Sequence, residues 1–189
     1  MTSWIVLIIA GFFAGILNAL AGGGTFLTFP ALVFVGVPPV AANATSTLAS
    51  LPGYLSGALG FTADVRKMPR AIFVSFVIIA LIGGLLGSLA LLATSDTLFK
   101  SIVPWLLFAA TLLFAFGDRL AKLRIPQKTG LLAVTFYGGY FNGGLGIMLL
   151  ALFSATGMKD LNQMNGLKAW LSFVLSAISV ATFVVAGII

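Results

Sequence analysis

Apolar residues run along this chain in stretches long enough to cross a lipid bilayer, and polar residues gather in the short turns between them. Six such stretches stand out. Trp4 to about Val35 is too long for one straight span and carries Gly22, Gly23, Gly24 and Pro30, so a broken helix or a span followed by a re-entrant half is expected there. Pro38-Pro39 then turns the chain. Asn43 to Thr62 forms a second span, rich in Thr and Ser and interrupted by Pro52-Gly53. Ala71 to Ala93 and Ile102 to Phe116 are cleaner apolar spans, Gly130 to Thr156 contains a second glycine-rich interruption, and Leu167 to Ile189 stays apolar to its last residue.

The two interruptions resemble each other. Asn18-Ala-Leu-Ala-Gly-Gly-Gly-Thr25 breaks the first stretch and Asn142-Gly-Gly-Leu-Gly146 the fifth. After each come about ten apolar residues, a turn, and an asparagine near the start of another span: Asn43-Ala-Thr-Ser46 in one half and Asn165-Gly-Leu-Lys168 in the other. The pattern predicts an all-α fold: a polytopic transmembrane helix bundle forming one membrane domain over 1–189. It contains two related repeats, about 4–116 and an incomplete 129–189, each with a Gly-broken helix. A glycine triplet disfavours continuous helix by about 1 kcal/mol per residue relative to alanine. In lipid, unwound backbone is tolerated only where protein buries it or where it lines a polar cavity, so two breaks point to one pathway built from both halves.

Composition narrows the function. Hydrophobic residues make up 60% of the 189 and charged residues 7%, which excludes an ordinary soluble domain. The chain has no histidine, cysteine or glutamate, so most general acids and bases and most zinc or iron ligands are missing; no enzyme, metal site or cofactor is expected. The net charge of +6 sits in compact loops rather than along a helix face, which argues for membrane orientation and against nucleic acid. The loop holding Asp64, Arg66, Lys67 and Arg70 and the one holding Asp118, Arg119, Lys122, Arg124 and Lys128 are the basic ones, and are expected on the cytoplasmic side. Asp96, Lys100, Lys159, Asp160 and Lys168 are expected on the other. The N-terminus is cytoplasmic if the first stretch crosses once and flips if that stretch is a re-entrant hairpin. Gly11/Gly15, Gly53/Gly57, Gly83/Gly87 and Gly139/Gly143 have the spacing that lets helix backbones approach closely, within the chain or in a homo-oligomer. Trp4, Trp105 and Trp170 lie near segment ends, as interfacial anchors do.

An anion entering lipid needs fixed positive potential and hydrogen-bond donors in place of water. Lys168 is the one basic residue placed inside a span; it is either an anion contact or a lysine snorkelling to headgroups. Asn43 and Asn165 read as helix N-caps, either satisfying backbone donors alone or capping helix N-termini that face a substrate, with Thr45 and Ser46 as further donors. Asn18 and Asn142 are placed to hydrogen-bond the unwound backbone or the substrate. Gly22, Gly23, Gly24, Gly143 and Gly144 would expose backbone N–H groups at the breaks.

Taken together, Gly11-Phe-Phe-Ala-Gly15, Ala21-Gly-Gly-Gly-Thr-Phe-Leu-Thr-Phe-Pro30, Gly36-Val-Pro-Pro-Val-Ala-Ala-Asn-Ala-Thr-Ser46, Gly138-Gly-Tyr-Phe-Asn-Gly-Gly-Leu-Gly146 and Met164-Asn-Gly-Leu-Lys168 resemble the sulfite exporter TauE/SafE (TSUP) family of membrane transporters. The resemblance implies seven or eight spans in two related halves, moving small anions such as sulfite, sulfoacetate or thiosulfate. It also implies about two further spans beyond this chain at roughly 20 residues each. The expected function is a secondary carrier in the bacterial inner membrane, multi-pass, with a small anion and the bilayer as partners. A passive anion channel and a non-transporting subunit or truncated fragment are the alternatives.

Overall fold

The computed structural model describes residues 2–20, 22–115 and 126–189, and every regular element among them is a helix. The helices are α1 (Thr2–Leu20), α2 (Thr25–Phe34), α3 (Pro39–Gly60), the single turn α4 (Thr62–Val65), α5 (Arg70–Leu92), α6 (Asp96–Ala115), α7 (Gln127–Tyr140), α8 (Leu145–Ala155) and α9 (Leu161–Val185). Local chemistry sets their ends. Pro39 opens α3, where its missing N–H would have had no partner. The Asp160 carboxylate caps α9, accepting from the backbone N–H of Asn162 and Gln163 at 3.0 and 3.1 Å. Gly36, Gly157 and Gly187 take left-handed φ just past the ends of α2, α8 and α9.

Both glycine-broken stretches fold back on themselves. A side chain on Gly24 would meet the Ala14 carbonyl and Asn18, so α2 returns antiparallel along α1 instead of continuing its line. Likewise Gly138 abuts Leu145, and Gln127 near the start of α7 donates to Thr156 just beyond α8 at 3.1 Å. Each stretch is therefore a helical hairpin. The α1–α2 hairpin opens toward the end of the bundle marked by Val40 N–H donating to Asp96 at 2.8 Å. The α7–α8 hairpin opens toward the opposite end, where Val65, Met68, Phe73, Met158 and Met164 pack together.

Between the hairpins stand the full-length helices. α5 and α9 combine span length with strongly apolar sequence; at about 1.5 Å per residue their 23 and 25 residues exceed a hydrocarbon core of about 30 Å. α3, 22 residues long, runs antiparallel to α9, with Gly57 against Ala169 and Gly166 against Phe61 and Val65. It is continuous: Pro52 sits inside it and does not end it. α5 packs along α7 at backbone contact distance, since a side chain at Gly83, Gly87 or Gly139 would run into the facing helix.

The interior is apolar with a band of polar side chains running through it, and the exterior is apolar as well. Asn43, Ser46, Thr47, Ser50, Ser172, Ser176 and Ser179 are buried, whereas Trp4, Ile8, Phe12, Ile78, Trp105 and Phe108 are exposed. A water-soluble domain would not leave that much large apolar surface uncovered. Trp105 lies midway along α6 rather than at a segment end. The expected orientation needs one correction. Lys159 and Asp160 lie at the same end as Arg66, Lys67 and Arg70, because α8 turns back and delivers the chain there. The basic residues 119–124 expected at that end lie outside the described residues.

Candidate functional site

The two hairpin turns meet. Gly22 and Gly144 each take a φ of 76°, the left-handed region that favours glycine. A Cβ on Gly22 would stand 2.7 Å from the Gly146 Cα, and one on Gly144 would stand 2.8 Å from the Phe26 ring. α2 and α8 both start here, with Gly24 and Gly144 as N-caps that supply no side-chain acceptor. Two helix N-termini, each a positive dipole end, thus converge where the hairpins touch. Contrary to the expectation from the glycine breaks, not every N–H there is free: Gly22 N–H donates to the Leu17 and Asn18 carbonyls, and those of Phe26, Leu27 and Leu145 donate to the carbonyls of Gly23, Gly24 and Asn142. The contact lies level with Gly53 and Tyr54, just past the midpoint of α3: Asn18 sits against Gly53, and the Tyr54 hydroxyl donates to Asn142 Oδ1 at 3.2 Å.

This arrangement corrects the asparagine assignments. Asn43 is not an N-cap, because Pro39 already starts α3 one turn earlier; its Nδ2 donates to the Tyr140 carbonyl at 3.1 Å, tying α3 to the end of α7. Asn165 is not an N-cap either. Asp160 takes that role, and Asn165 is half-buried in α9 with its amide on the Leu161 carbonyl at 2.9 Å. The helix N-termini that face the middle belong to α2 and α8, capped by glycine.

Lys168 lies well inside α9 and is buried, 6% exposed, with no ion pair or hydrogen bond among the described residues. Ser172 and Ser176 follow it at four-residue intervals, so the three share one face of the helix. The Gly57–Ala169 contact fixes the register and puts Ser172 and Ser176 level with Tyr54 and Ser50 of α3. Facing them, Asn43, Ser46, Ser50 and Tyr54 form a second buried stripe. Two polar stripes on antiparallel helices therefore make a seam passing the hairpin turns.

Six fully buried polar atoms have no hydrogen-bond partner among the described residues: Asn18 Oδ1, Thr25 Oγ1, Asn43 Oδ1, Asn142 Nδ2, Ser172 Oγ and Ser176 Oγ. Each such atom disfavours the fold by about 1–3 kcal/mol. Their concentration around the turns and along the seam is what a site for a polar guest requires. Ser46 hydrogen-bonds Thr28, and Thr45 is half-buried off the polar face. Gly23 and Gly143 are buried within the turns. A cavity of about 180 Å³ opens beside the seam, lined by Gly11, Gly15, Asn18, Thr28, Ser50 and Gly53 among others; it includes Asn18 and not Asn142. Gly11 and Gly15, expected to press helices together, meet nothing within 4 Å and instead leave this space.

Thr25, Thr28, Ser50, Tyr54, Ser172 and Ser176 were not singled out by the sequence. The i, i+4, i+8 spacing of Lys168, Ser172 and Ser176 was the available signal. No group of three or more metal-ligating side chains occurs among the described residues.

Apolar clusters flank the seam toward either end of the bundle. On the Asp96 side Phe29, Phe99, Tyr140 and Phe141 stack edge to face with ring centroids 5.6–6.0 Å apart. On the other side Leu131, Leu145, Leu149, Phe153, Leu167 and Leu171 pack into an apolar layer.

Residues 7–189 match the profile of the family described as Sulfite exporter TauE/SafE. A probable membrane transporter protein of Haemophilus influenzae is 34% identical over 96% of this chain and 74% of its own length. A probable membrane transporter protein, ORF9, of a Sinorhizobium species is 29% identical over 74% of this chain and 56% of its own. The Escherichia coli probable membrane transporter protein YfcA is 28% identical over 75% and 55%. The chain thus spans little more than half the length of the last two. No solved structure matches it.

Proposed function

The chain belongs to the sulfite exporter TauE/SafE family, and from that premise we propose that it is a multi-pass secondary carrier of the bacterial inner membrane that moves a small sulfur-containing or carboxylate anion. The observation that carries this reading is the contact of the two glycine turns beside the seam of buried, unpartnered polar groups. An anion there meets two helix N-termini, the Lys168 ammonium, and the hydroxyls of Ser172, Ser176 and Thr25 as donors. Asn142 Nδ2 adds another. The two hairpins enter from opposite ends, so the site sits between two gates: the aromatic layer around Phe141 and the aliphatic layer around Leu149. Rocking one hairpin against the other opens one gate while the other stays shut, which is alternating access. The end carrying Arg66, Lys67, Arg70, Lys128 and Lys159 against Asp64 and Asp160 faces the cytoplasm.

The test is uptake of labelled sulfite, thiosulfate, sulfoacetate and small carboxylates into proteoliposomes containing the chain. Saturable uptake of one of them, with counterflow exchange, is expected. Uptake that rises linearly with concentration would mean a channel, and no uptake of any anion would defeat the reading.

A further inference from the structure

A second pocket lies outside the seam, at the basic end of the bundle. Arg66 and Arg70 flank a pocket of about 480 Å³ floored by Val65, Met68, Phe73 and Trp170. Both arginines are exposed, and neither forms an ion pair among the described residues. Their neighbour Lys67 behaves differently: it is held by Asp64 at 2.6 Å, and that hydrogen bond and carboxylate charge raise its ammonium pKa above the usual lysine value. The carboxylate is thus engaged on Lys67, which leaves the two guanidiniums available. Phe73 and Trp170 meet edge to face at 6.2 Å, making a firm aromatic floor.

Arg70 also heads a second depression. A shallow apolar groove of about 580 Å³, open to the outside and lined by α5 alone, runs from Arg70 along the outer side of the helix, past Val74 and Ser75 to Ile78 and Ile79. The rise from Arg70 to Ile79 gives it a length of about 14 Å. Val74 and Ile78 are exposed on this surface, so the groove lies on the face turned to lipid.

We propose that Arg66 and Arg70 bind the phosphodiester headgroup of an anionic phospholipid whose acyl chain lies in the groove along α5. A guanidinium pair supplies bidentate hydrogen bonds and charge to the phosphate. Trp170 and Phe73 line the same pocket and offer apolar surface beneath the headgroup. Basic pockets between helices at the cytoplasmic surface suit such headgroups. A free phosphate or a soluble anion would use the arginines and have no use for the groove, which is why the lipid is the favoured occupant. The inference rests on the membrane setting of the chain and on no particular transported substrate, so transport and lipid retention can fail independently.

Native mass spectrometry of the full chain, released from detergent containing equal amounts of phosphatidylglycerol and phosphatidylcholine, tests this. One phosphatidylglycerol should be retained in preference to phosphatidylcholine, R66Q/R70Q should weaken retention by about fivefold per arginine removed, and Lys67→Gln should leave it unchanged. Ile78→Trp, which fills the groove, should reduce retention with both arginines intact. Excess inorganic phosphate should not displace the lipid. Equal retention of the two lipids would overturn the proposal. So would displacement by phosphate together with indifference to Ile78→Trp, which would mean a soluble-anion site. If R66Q/R70Q does not fold, R66Q alone and Ile78→Trp decide in the same way.

Discussion

Lys168 brings a positive charge into the bundle with no carboxylate beside it among the described residues, an arrangement that disfavours the fold unless an anion completes it. Replacing it by methionine keeps the volume and removes the charge. Lys168→Met is therefore expected to fold at least as stably as the parent while losing anion-dependent stabilisation, read as the thermal shift with and without sulfoacetate in detergent. A snorkelling lysine would give the reverse, lower stability with the anion response retained. Gly22 makes a second residue-level test. Alanine there meets left-handed strain and the Gly146 backbone together, for a loss of roughly 2–4 kcal/mol. Alanine at Gly36 meets the strain in open space, for a loss of about 1 kcal/mol. Thermal unfolding of the two variants checks the order; equal losses would mean that the hairpin turns do not touch.

At the scale of elements, glycine spacing alone did not say which helices approach closely. Gly83, Gly87 and Gly139 lie where α5 and α7 touch, while Gly11 and Gly15 border a cavity, and the same spacing served both. Gly139→Ala is expected to push α5 from α7 and lower the unfolding temperature, because the new methyl lands on the Gly84 backbone. Gly15→Ala is expected to be neutral or to stabilise, since alanine favours helix by about 1 kcal/mol; measured unfolding temperatures in the opposite order would contradict the packing. The glycine breaks and the helices flanking them were legible, because glycine clusters inside apolar runs have few other uses. The direction of the chain after each break was not. Whether a helix continues or folds back depends on contacts such as Gly24 with Ala14 and Gln127 with Thr156, which are distant in sequence or set by a single left-handed residue. The asparagines were misassigned for a related reason. Asn43 and Asn165 stand near the starts of apolar runs, but the helices begin earlier: at Pro39, which can open a helix as readily as turn the chain, and at Leu161, in a segment too polar to read as membrane.

Across the described residues, two hairpins entering from opposite ends meet midway, flanked by a polar seam and by apolar clusters toward either end. The central proposal built on that geometry is that the seam at Ser172 holds the anion and is reached from one side at a time. The chain has no native cysteine, so a single Ser172→Cys in proteoliposomes of fixed orientation can be labelled with a membrane-impermeant thiol reagent from either side. Sulfoacetate is the protecting anion of choice, because sulfite itself cleaves mixed disulfides. The account predicts labelling that is slowed by sulfoacetate and that shifts from one side to the other when the anion gradient is reversed. Labelling from both sides at once, or a rate indifferent to the anion, would contradict it.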